Sequence, residues 1–319
     1  MTEDNLNLAG NILRIERASI HDGSGLRTVV FFKGCPLDCS WCSTPESKRF
    51  GFEKGFAYEL CTSCGRCIEA CPNNAISLNQ VNQAVVTDRS LCNNCFSCAG
   101  VCPSHAIKPY GNKMTVSAVM DEVKKDEIFF YHSGGGITLS GGEPLRQSSF
   151  AAALLEESKM LGINTTVESC LYGNFSSIEK LLPWLDTIYV DIKQMDGAVH
   201  REWTGQDNQL ILGNLVKIDR NYRSPSIIVR VPLVPGFNDS DENLLATLQF
   251  CKGLNNLKGI EVLPYHRLGI ETYQYLDLDY NQCRDIAPPN AERLSERISF
   301  LKKQNSRIAI FSGSGFSEE

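Results

Sequence analysis

The sequence predicts an α/β protein: a partial, open (β/α)6 TIM-like barrel interrupted by a small inserted domain. Three observations carry that expectation. Short β-branched and aromatic runs alternate with amphipathic helical stretches over most of the chain, the pattern of a parallel sheet. From about 57 to 112 the aliphatic rhythm fades and cysteine becomes dense, with one spacing occurring twice. A three-cysteine loop, Gly34-Cys35-Pro36-Leu37-Asp38-Cys39-Ser40-Trp41-Cys42, follows directly on the first buried strand. In (β/α) barrels that strand end carries the active site. The domains expected are 1–56 with 113–319 for the barrel and 57–112 for the insert.

Length and composition agree with that plan. A chain of 319 residues accommodates a barrel, which commonly occupies about 200–250 residues, plus an insert. Hydrophobic content of 42% and charged content of 21% allow an ample core. No apolar run approaches the ~18 residues of a membrane span, so no membrane partner is expected. The start, Met1-Thr2-Glu3-Asp4-Asn5, is acidic and polar, unlike a signal peptide, and the protein is read as cytoplasmic. A net charge of -6 argues against nucleic acid as a partner, because phosphate neutralisation needs a basic face. In a reducing compartment, fourteen cysteines are metal ligands sooner than disulfides. Eleven fall into three clusters; Cys170, Cys251 and Cys283 stand alone and are read as buried or incidental thiols.

The first elements lead to the loop. Residues 10–19 alternate imperfectly and suggest an edge strand, while 28–32 form a buried strand. Between them His21-Asp22-Gly23-Ser24-Gly25 has the residues of a loop. A loop with the spacing Cys35-x3-Cys39-x2-Cys42 can wrap one face of an iron-sulfur cube. Such clusters usually take four cysteines. Three donors leave one iron open, which points to chemistry at the cluster and not only electron transfer.

Within the insert, Cys61-x2-Cys64-x2-Cys67-x3-Cys71-Pro72 recurs 31 residues later as Cys92-x2-Cys95-x2-Cys98-x3-Cys102-Pro103. This is the bacterial ferredoxin run, in which the fourth cysteine crosses to the other cluster. A ferredoxin-like, two-cluster domain follows, with Cys61, Cys64, Cys67 and Cys102 on one 4Fe-4S cluster and Cys92, Cys95, Cys98 and Cys71 on the second. A zinc ribbon is the competing reading, and two full copies with the trailing Cys-Pro weigh against it. His105, just past the last ligand, is read as a surface residue.

After the insert, Ser117 is the expected N-cap of a helix carrying Val119, Met120 and Val123. Further helices are expected at 149–161, closed by Gly162, and at 177–184, 209–220, 242–251 and 291–303. Strands are expected at 137–139, 163–167, 187–192, 227–231 and 259–263, with a closing run at 308–311. With 28–32 the alternation is counted as six strands, short of a closed barrel. An open barrel leaves a lateral mouth for a large substrate. Polar residues at strand ends point into it: Gly141-Gly142-Glu143, Glu168, Asp191 with Lys193, Arg230 and His266. That set suits a zwitterion, with Glu143 and backbone groups for an ammonium and Lys193 or Arg230 for a carboxylate. Plainer readings stand beside these: a surface ion pair for Asp191 and Lys193, a core histidine for His266, a buried-stem arginine for Arg230. Of the other histidines, His200 is the most suggestive, because it follows the Asp191 strand closely.

Taken together, Cys35-x3-Cys39-x2-Cys42 with Trp41 before the last cysteine, and Gly141-Gly142-Glu143-Pro144, resemble the radical S-adenosylmethionine superfamily. The closer resemblance is to the glycyl radical enzyme activating enzymes, of which pyruvate formate-lyase activating enzyme is the best known. It covers 10–46 and 135–311, through Asp22-Gly23-Ser24-Gly25-Leu26-Arg27, Phe32-Lys33-Gly34-Cys35, Asp191-Ile192-Lys193-Gln194-Met195, Val234-Pro235-Gly236-Phe237 and Leu263-Pro264-Tyr265-His266. The insert resembles that of the family's longer members.

The resemblance implies that Cys35, Cys39 and Cys42 hold a site-differentiated 4Fe-4S cluster whose free iron is chelated by S-adenosylmethionine. Gly141, Gly142 and Glu143 then contact the methionine ammonium, and Trp41 joins the cofactor site. Asp191, Lys193, Arg230 and His266 line the cofactor and substrate mouth as the catalytic set, and Glu168 lies near a monovalent cation. Reductive cleavage of the cofactor yields a 5′-deoxyadenosyl radical that abstracts a glycine Cα hydrogen from a partner glycyl radical enzyme. The insert's two clusters, making three in all, relay electrons from a flavodoxin- or ferredoxin-type donor. The chain departs from the family in reading Cys42-Ser43-Thr44 where Cys-His-Asn is common, and Ser24 where proline is usual. Two other functions compete: a radical S-adenosylmethionine reaction on a small molecule or peptide, and an iron-sulfur electron-transfer protein. The closed four-plus-four cysteine set argues against the first, and the three-cysteine loop with its Gly-Gly-Glu turn against the second.

Overall fold

Strands buried on both faces read as continuous apolar runs and pair in parallel when helices supply the crossovers. The computed structural model describes residues 3–79, 85–304 and 307–313. The reading of Met1 and Thr2, and the stretches 80–84, 305–306 and 314–319 of the two domain spans, lie outside the described residues. In chain order the strands are β1 (Ala9–Ser19), β2 (Arg27–Phe32), β3 (Glu53–Phe56), β4 (Ile76–Leu78), β5 (Val85–Thr87), β6 (Ile107–Tyr110), β7 (Asn112–Thr115), β8 (Gly136–Gly141), β9 (Asn164–Ser169), β10 (Thr187–Asp191), β11 (Ser226–Leu233), β12 (Leu257–Pro264) and β13 (Ala309–Phe311).

Nine of these strands form one sheet in the order β13-β12-β11-β10-β9-β8-β2-β1-β7. β2 and β8 to β13 run parallel, each paired with the next, as in a partial barrel. That is seven parallel strands against a count of six, the seventh being the strand expected at 308–311, which pairs on β12. β1 pairs antiparallel with β2 on one side and β7 on the other. It is therefore not the edge strand expected: the chain leaving the insert returns to cover it.

The alternation of side chains along each strand separates two faces. One carries Ile137, Leu139, Val167, Ile188, Val190, Val229, Ile260 and Val262 into a single core with helix residues such as Leu154, Leu215 and Leu248. The opposite face is polar. Thr138 stands beside Thr166, Glu168 beside Tyr189, and Asp191 beside Arg230, which stands beside Glu261. The interior of such a barrel is commonly filled with branched aliphatic side chains. A polar interior is the mark of a site.

Local chemistry sets the helix ends. Thr115, not Ser117, caps the helix Val116–Val123, its Oγ1 accepting from Ala118 N at 3.1 Å, since β7 runs straight into the helix. The helix expected over 177–184 is split into Phe175–Glu179 and a 3-10 turn at Leu182–Trp184, because Pro183 has no amide to donate. A helix not foreseen, Gly197–Thr204, starts where Asp196 accepts from Ala198 N and Val199 N at 2.8 and 3.0 Å. No described helix is long and apolar enough to cross a membrane.

Between β2 and β7 the chain leaves the nine-stranded sheet for two two-stranded sheets of its own. β3 and β6 pair antiparallel at the neck of this segment, and β4 and β5 pair within it. Two one-turn helices, Arg66–Glu69 and Ser97–Gly100, each contain a cysteine, Cys67 and Cys98. The backbone repeats as the sequence does: left-handed residues Ser63, Gly65 and Asn74 recur 31 positions later as Asn94, Phe96 and His105. Only one of the six is glycine, so the conformation is imposed by the fold around it.

Candidate active site

The three-cysteine loop leaves the C-terminal end of β2 and is tied down by backbone hydrogen bonds. Gly34 N donates to Ser47 O at 2.7 Å and Cys35 N to Lys48 O at 2.9 Å. Asp38 N and Ser40 N donate to Thr204 O and Trp203 O at 2.8 and 3.0 Å. The exposed carbonyls at the end of helix Gly197–Thr204 thus find their partners in the loop. Trp41 is buried and packs on Phe237 with ring centres 4.7 Å apart, and Phe237 stacks on Trp203 at 4.8 Å. The indole fixes the loop by packing.

Cys35, Cys39 and Cys42 are half-buried. Burial pushes the Cys39 thiol up to about 12 and the Cys42 thiol up to about 11, so any metal held by these groups would displace protons. Cys35 moves the other way, lowered chiefly by its hydrogen bond with Cys170. Cys170 is buried, as a lone thiol was expected to be, but it sits beside the loop and lies 2.9 Å from Glu143 Oε2. The Tyr273 hydroxyl is buried without a partner among the described residues, with its ring 5.3 Å from Lys48 Nζ. Its acidity is suppressed by burial and then by the field of Cys42 and Cys39. An electron-rich group held by those cysteines fits beside such an orphaned donor.

The Gly141-Gly142-Glu143 turn lies flat on the start of this loop. Gly142 N donates to Phe32 O and Glu143 N to Gly34 O, both at 2.9 Å. A Cβ on Gly142 would come within 2.5 Å of Gly34 O, and Gly141 has φ +106, so neither position accommodates a side chain. The Glu143 carboxylate is wholly buried. It accepts from Leu145 N, Ser169 Oγ and Cys170 N at 3.1, 2.8 and 2.8 Å, while burial raises its pKa. Both oxygens are spent inside the protein, and what the turn leaves for a ligand is backbone.

Across the mouth, Lys193 Nζ is 2.8 Å from Asp191, with Lys193 buried and Asp191 half-buried. Burial pulls the Lys193 ammonium down, but Asp191 and Cys39 outweigh it and the net shift is upward. This pair is therefore not a surface ion pair. Arg230 is buried between Glu168 and Glu261, with its guanidinium 3.9 Å from the centre of the Tyr189 ring. Glu168 also accepts from Ser140 Oγ at 2.6 Å, and Arg230 donates to His21 O at 3.3 Å. His266 is exposed and so is not a core histidine. His200 is buried, with Nδ1 2.6 Å from Gln206 O and Nε2 without a partner among the described residues.

The structure brings together Cys35, Cys39, Gly141 to Glu143, Asp191 and Lys193; Glu168 and Arg230 sit deeper, in register with Tyr189 and Glu261. Glu261 was missed in the sequence. Its only signal there is one carboxylate inside an otherwise apolar strand.

In the insert, one cavity is lined by Cys61, Cys64, Cys67 and Cys102, and another by Cys71, Cys92, Cys95 and Cys98. Each takes three cysteines from one repeat and the trailing cysteine of the other. Among the described residues, no three His, Cys, Asp or Glu side chains converge to hold a single metal ion.

Comparison with known proteins places these features in a wider set. A family model described as the radical SAM superfamily matches residues 29–248. The chain is 43% identical over 272 residues to the isethionate sulfite-lyase activating enzyme of Oleidesulfovibrio alaskensis, covering 84% of this chain and 87% of the relative. It is 36% identical over 302 residues to the trans-4-hydroxy-L-proline dehydratase activating enzyme of Clostridioides difficile, covering 94% and 98%. Among solved structures, Streptococcus suis SuiB bound to its precursor peptide SuiA aligns over 91% of this chain and 49% of its own, with a TM-score of 0.54 and 13% identity. At that identity the likeness is one of fold.

Proposed function

The chain belongs to the radical SAM superfamily and, within it, to the activating enzymes of glycyl radical enzymes, and from that premise we propose which residues do the work. It activates a partner glycyl radical enzyme: a 4Fe-4S cluster supplies the electron that cleaves S-adenosylmethionine, and the resulting 5′-deoxyadenosyl radical takes a glycine Cα hydrogen from the partner. The carrying observation is the three-cysteine loop fixed at the end of β2 with the Gly141-Gly142-Glu143 backbone laid against Gly34.

In this reading Cys35, Cys39 and Cys42 hold that cluster. The backbone of Gly141, Gly142 and Glu143 accepts the methionine ammonium, and the Glu143 carboxylate positions that turn from below. Lys193, kept charged by Asp191, binds the methionine carboxylate, and Trp41 braces the loop. Arg230, Glu168 and Asp191 shape the floor of the mouth, and exposed His266 stands at its rim. Fixed orientation and exclusion of water are the protein's part in such chemistry. For a monovalent cation the residues do not fit: Glu168 spends its oxygens on Arg230 and Ser140, and the guanidinium already supplies positive charge there.

The segment 57–112 acts as a ferredoxin-like domain with two 4Fe-4S clusters, giving three in the chain, and relays electrons from a flavodoxin- or ferredoxin-type donor. Four cysteines around each cavity support a cage-shaped cluster over a point ion. So many reduced cysteines suit the cytoplasm.

The test is anaerobic reconstitution with S-adenosylmethionine and reductant, alone and with purified glycyl radical proteins, including lyases and dehydratases of the kinds named for the relatives. Formation of 5′-deoxyadenosine together with a glycine-centred EPR doublet on one partner is expected. Cofactor cleavage without a doublet on any of them would overturn the assignment of a protein substrate.

A further inference from the structure

The two cavities of the insert are built from matching positions of the repeat, and they differ in charge. β3 turns Lys54 and Phe56, two residues apart and so on one side of the strand, toward different cavities. Phe56 lines the one bounded by Cys61, Cys64, Cys67 and Cys102, where no charged residue takes part among those described. Lys54 lines the one bounded by Cys71, Cys92, Cys95 and Cys98, where no carboxylate does. Lys54 is 5% exposed, and its Nζ lies 3.8 Å from Cys98 Sγ. A buried ammonium beside neutral thiols is unfavourable. Thiolates ligating a cluster supply the missing negative charge.

A cluster gains one negative charge on reduction, so a cation and hydrogen-bond donor at a ligand sulfur favours its reduced form. We propose that Lys54 makes the two insert sites electrochemically unequal, holding the one bounded by Cys71, Cys92, Cys95 and Cys98 at the higher reduction potential. The inference rests on the reading of the insert as a two-cluster domain. The electron from an external reductant then settles beside Lys54. Lys54 follows Glu53, which pairs at 3.2 Å with Lys33, two residues before Cys35. Lys54 thus stands on the strand that ties the insert to the barrel.

A potentiometric titration of the full-length reconstituted protein with dithionite, followed by EPR, tests this. Adding S-adenosylmethionine marks the barrel cluster as the signal that changes, leaving two insensitive couples. In the wild-type protein these two stand apart; coincident couples overturn the proposal. Lys54→Gln lowers the higher of them so that its reduced-to-oxidised ratio at fixed potential falls about tenfold, 59 mV for one electron. Lys54→Arg keeps it in place, and the lower couple moves in neither variant. Equal movement of both couples, or of neither, with iron content retained, overturns the proposal alone. A wild-type protein that loads no iron beyond the barrel cluster overturns the two-cluster reading and the proposal with it.

Discussion

In the barrel, Cys39 and Cys42 sit on a loop bonded to carbonyls of Ser47, Lys48, Trp203 and Thr204 and packed through Trp41 and Cys39 on Val234, Phe237 and Tyr265, while a separate aliphatic core holds the sheet together. In the insert, Cys64 and Cys95 are exposed, and the described core is Cys67, Ile76, Val85, Cys98 and Ile107, with the cysteines themselves among its members. The barrel positions its cysteines with stability drawn from elsewhere. The insert has too little apolar surface for that, and units of such size commonly depend on metal for their fold. On the proposed reading, one site is a chemical device on a stable frame, whereas in the other the metal centres would be part of the frame.

The largest effect separating the two is expected from Cys39→Ala, which removes one proposed ligand from the barrel loop. Formation of 5′-deoxyadenosine should fall to background while circular dichroism and the insert's iron stay unchanged; residual turnover would show that the active cluster lies elsewhere. Removing iron with a chelator should next dissociate the regions by stability. Amide exchange is expected to rise through β4 and β5 and the short helices, while β2 and β8 to β12 keep their protection. Simultaneous loss of protection in both regions would break the comparison.

A smaller effect, confined to the barrel, follows from Glu261→Gln. It removes one of two carboxylates from buried Arg230 and should destabilise the apo-protein by ~3 kcal/mol, read by urea unfolding of the barrel signal. Unchanged stability would mean that Glu168 alone satisfies the guanidinium. The smallest effect concerns Asp126, whose carboxyl is held below the usual range by hydrogen bonds from Arg17, against the effect of burial, with help from Thr28. A depressed folded pKa contributes stability above the unfolded value of about 3.9, and that contribution is lost as pH falls through the folded value. Asp126→Asn should therefore cost about 1 kcal/mol at pH 7 and progressively less toward pH 2. A loss that is constant across that range would contradict the assigned cause.

Much of this was legible because cysteine spacing and β-branched runs are local. The repeat at Cys61 and Cys92, the loop at Cys35 and six of the seven parallel strands in the count need only short-range patterns. Helix caps were less secure, since whether Thr115 or Ser117 caps a helix depends on where β7 stops pairing with β1. The polar interior was legible in part. Glu168, Asp191 and Arg230 lie near strand ends, where polarity signals a site, but Glu261 lies within an apolar run and declares itself only through its register with Arg230. Cys170 looked isolated because its neighbour Cys35 is remote in sequence.

The amino-acid sequence by itself determined the family, the alternation of strands and helices, and which cysteines stand in sets of three and four, because these are periodicities and spacings along one chain. Tertiary structure alone decided that the Glu143 carboxylate is consumed beneath the turn and that Arg230 is shared by Glu168 and Glu261. It alone placed a single ammonium, Lys54, beside one of two otherwise matching cysteine cavities. Charges act through space over distances of a few ångströms, and residues that far apart in the fold are separated by tens to hundreds of positions in the chain.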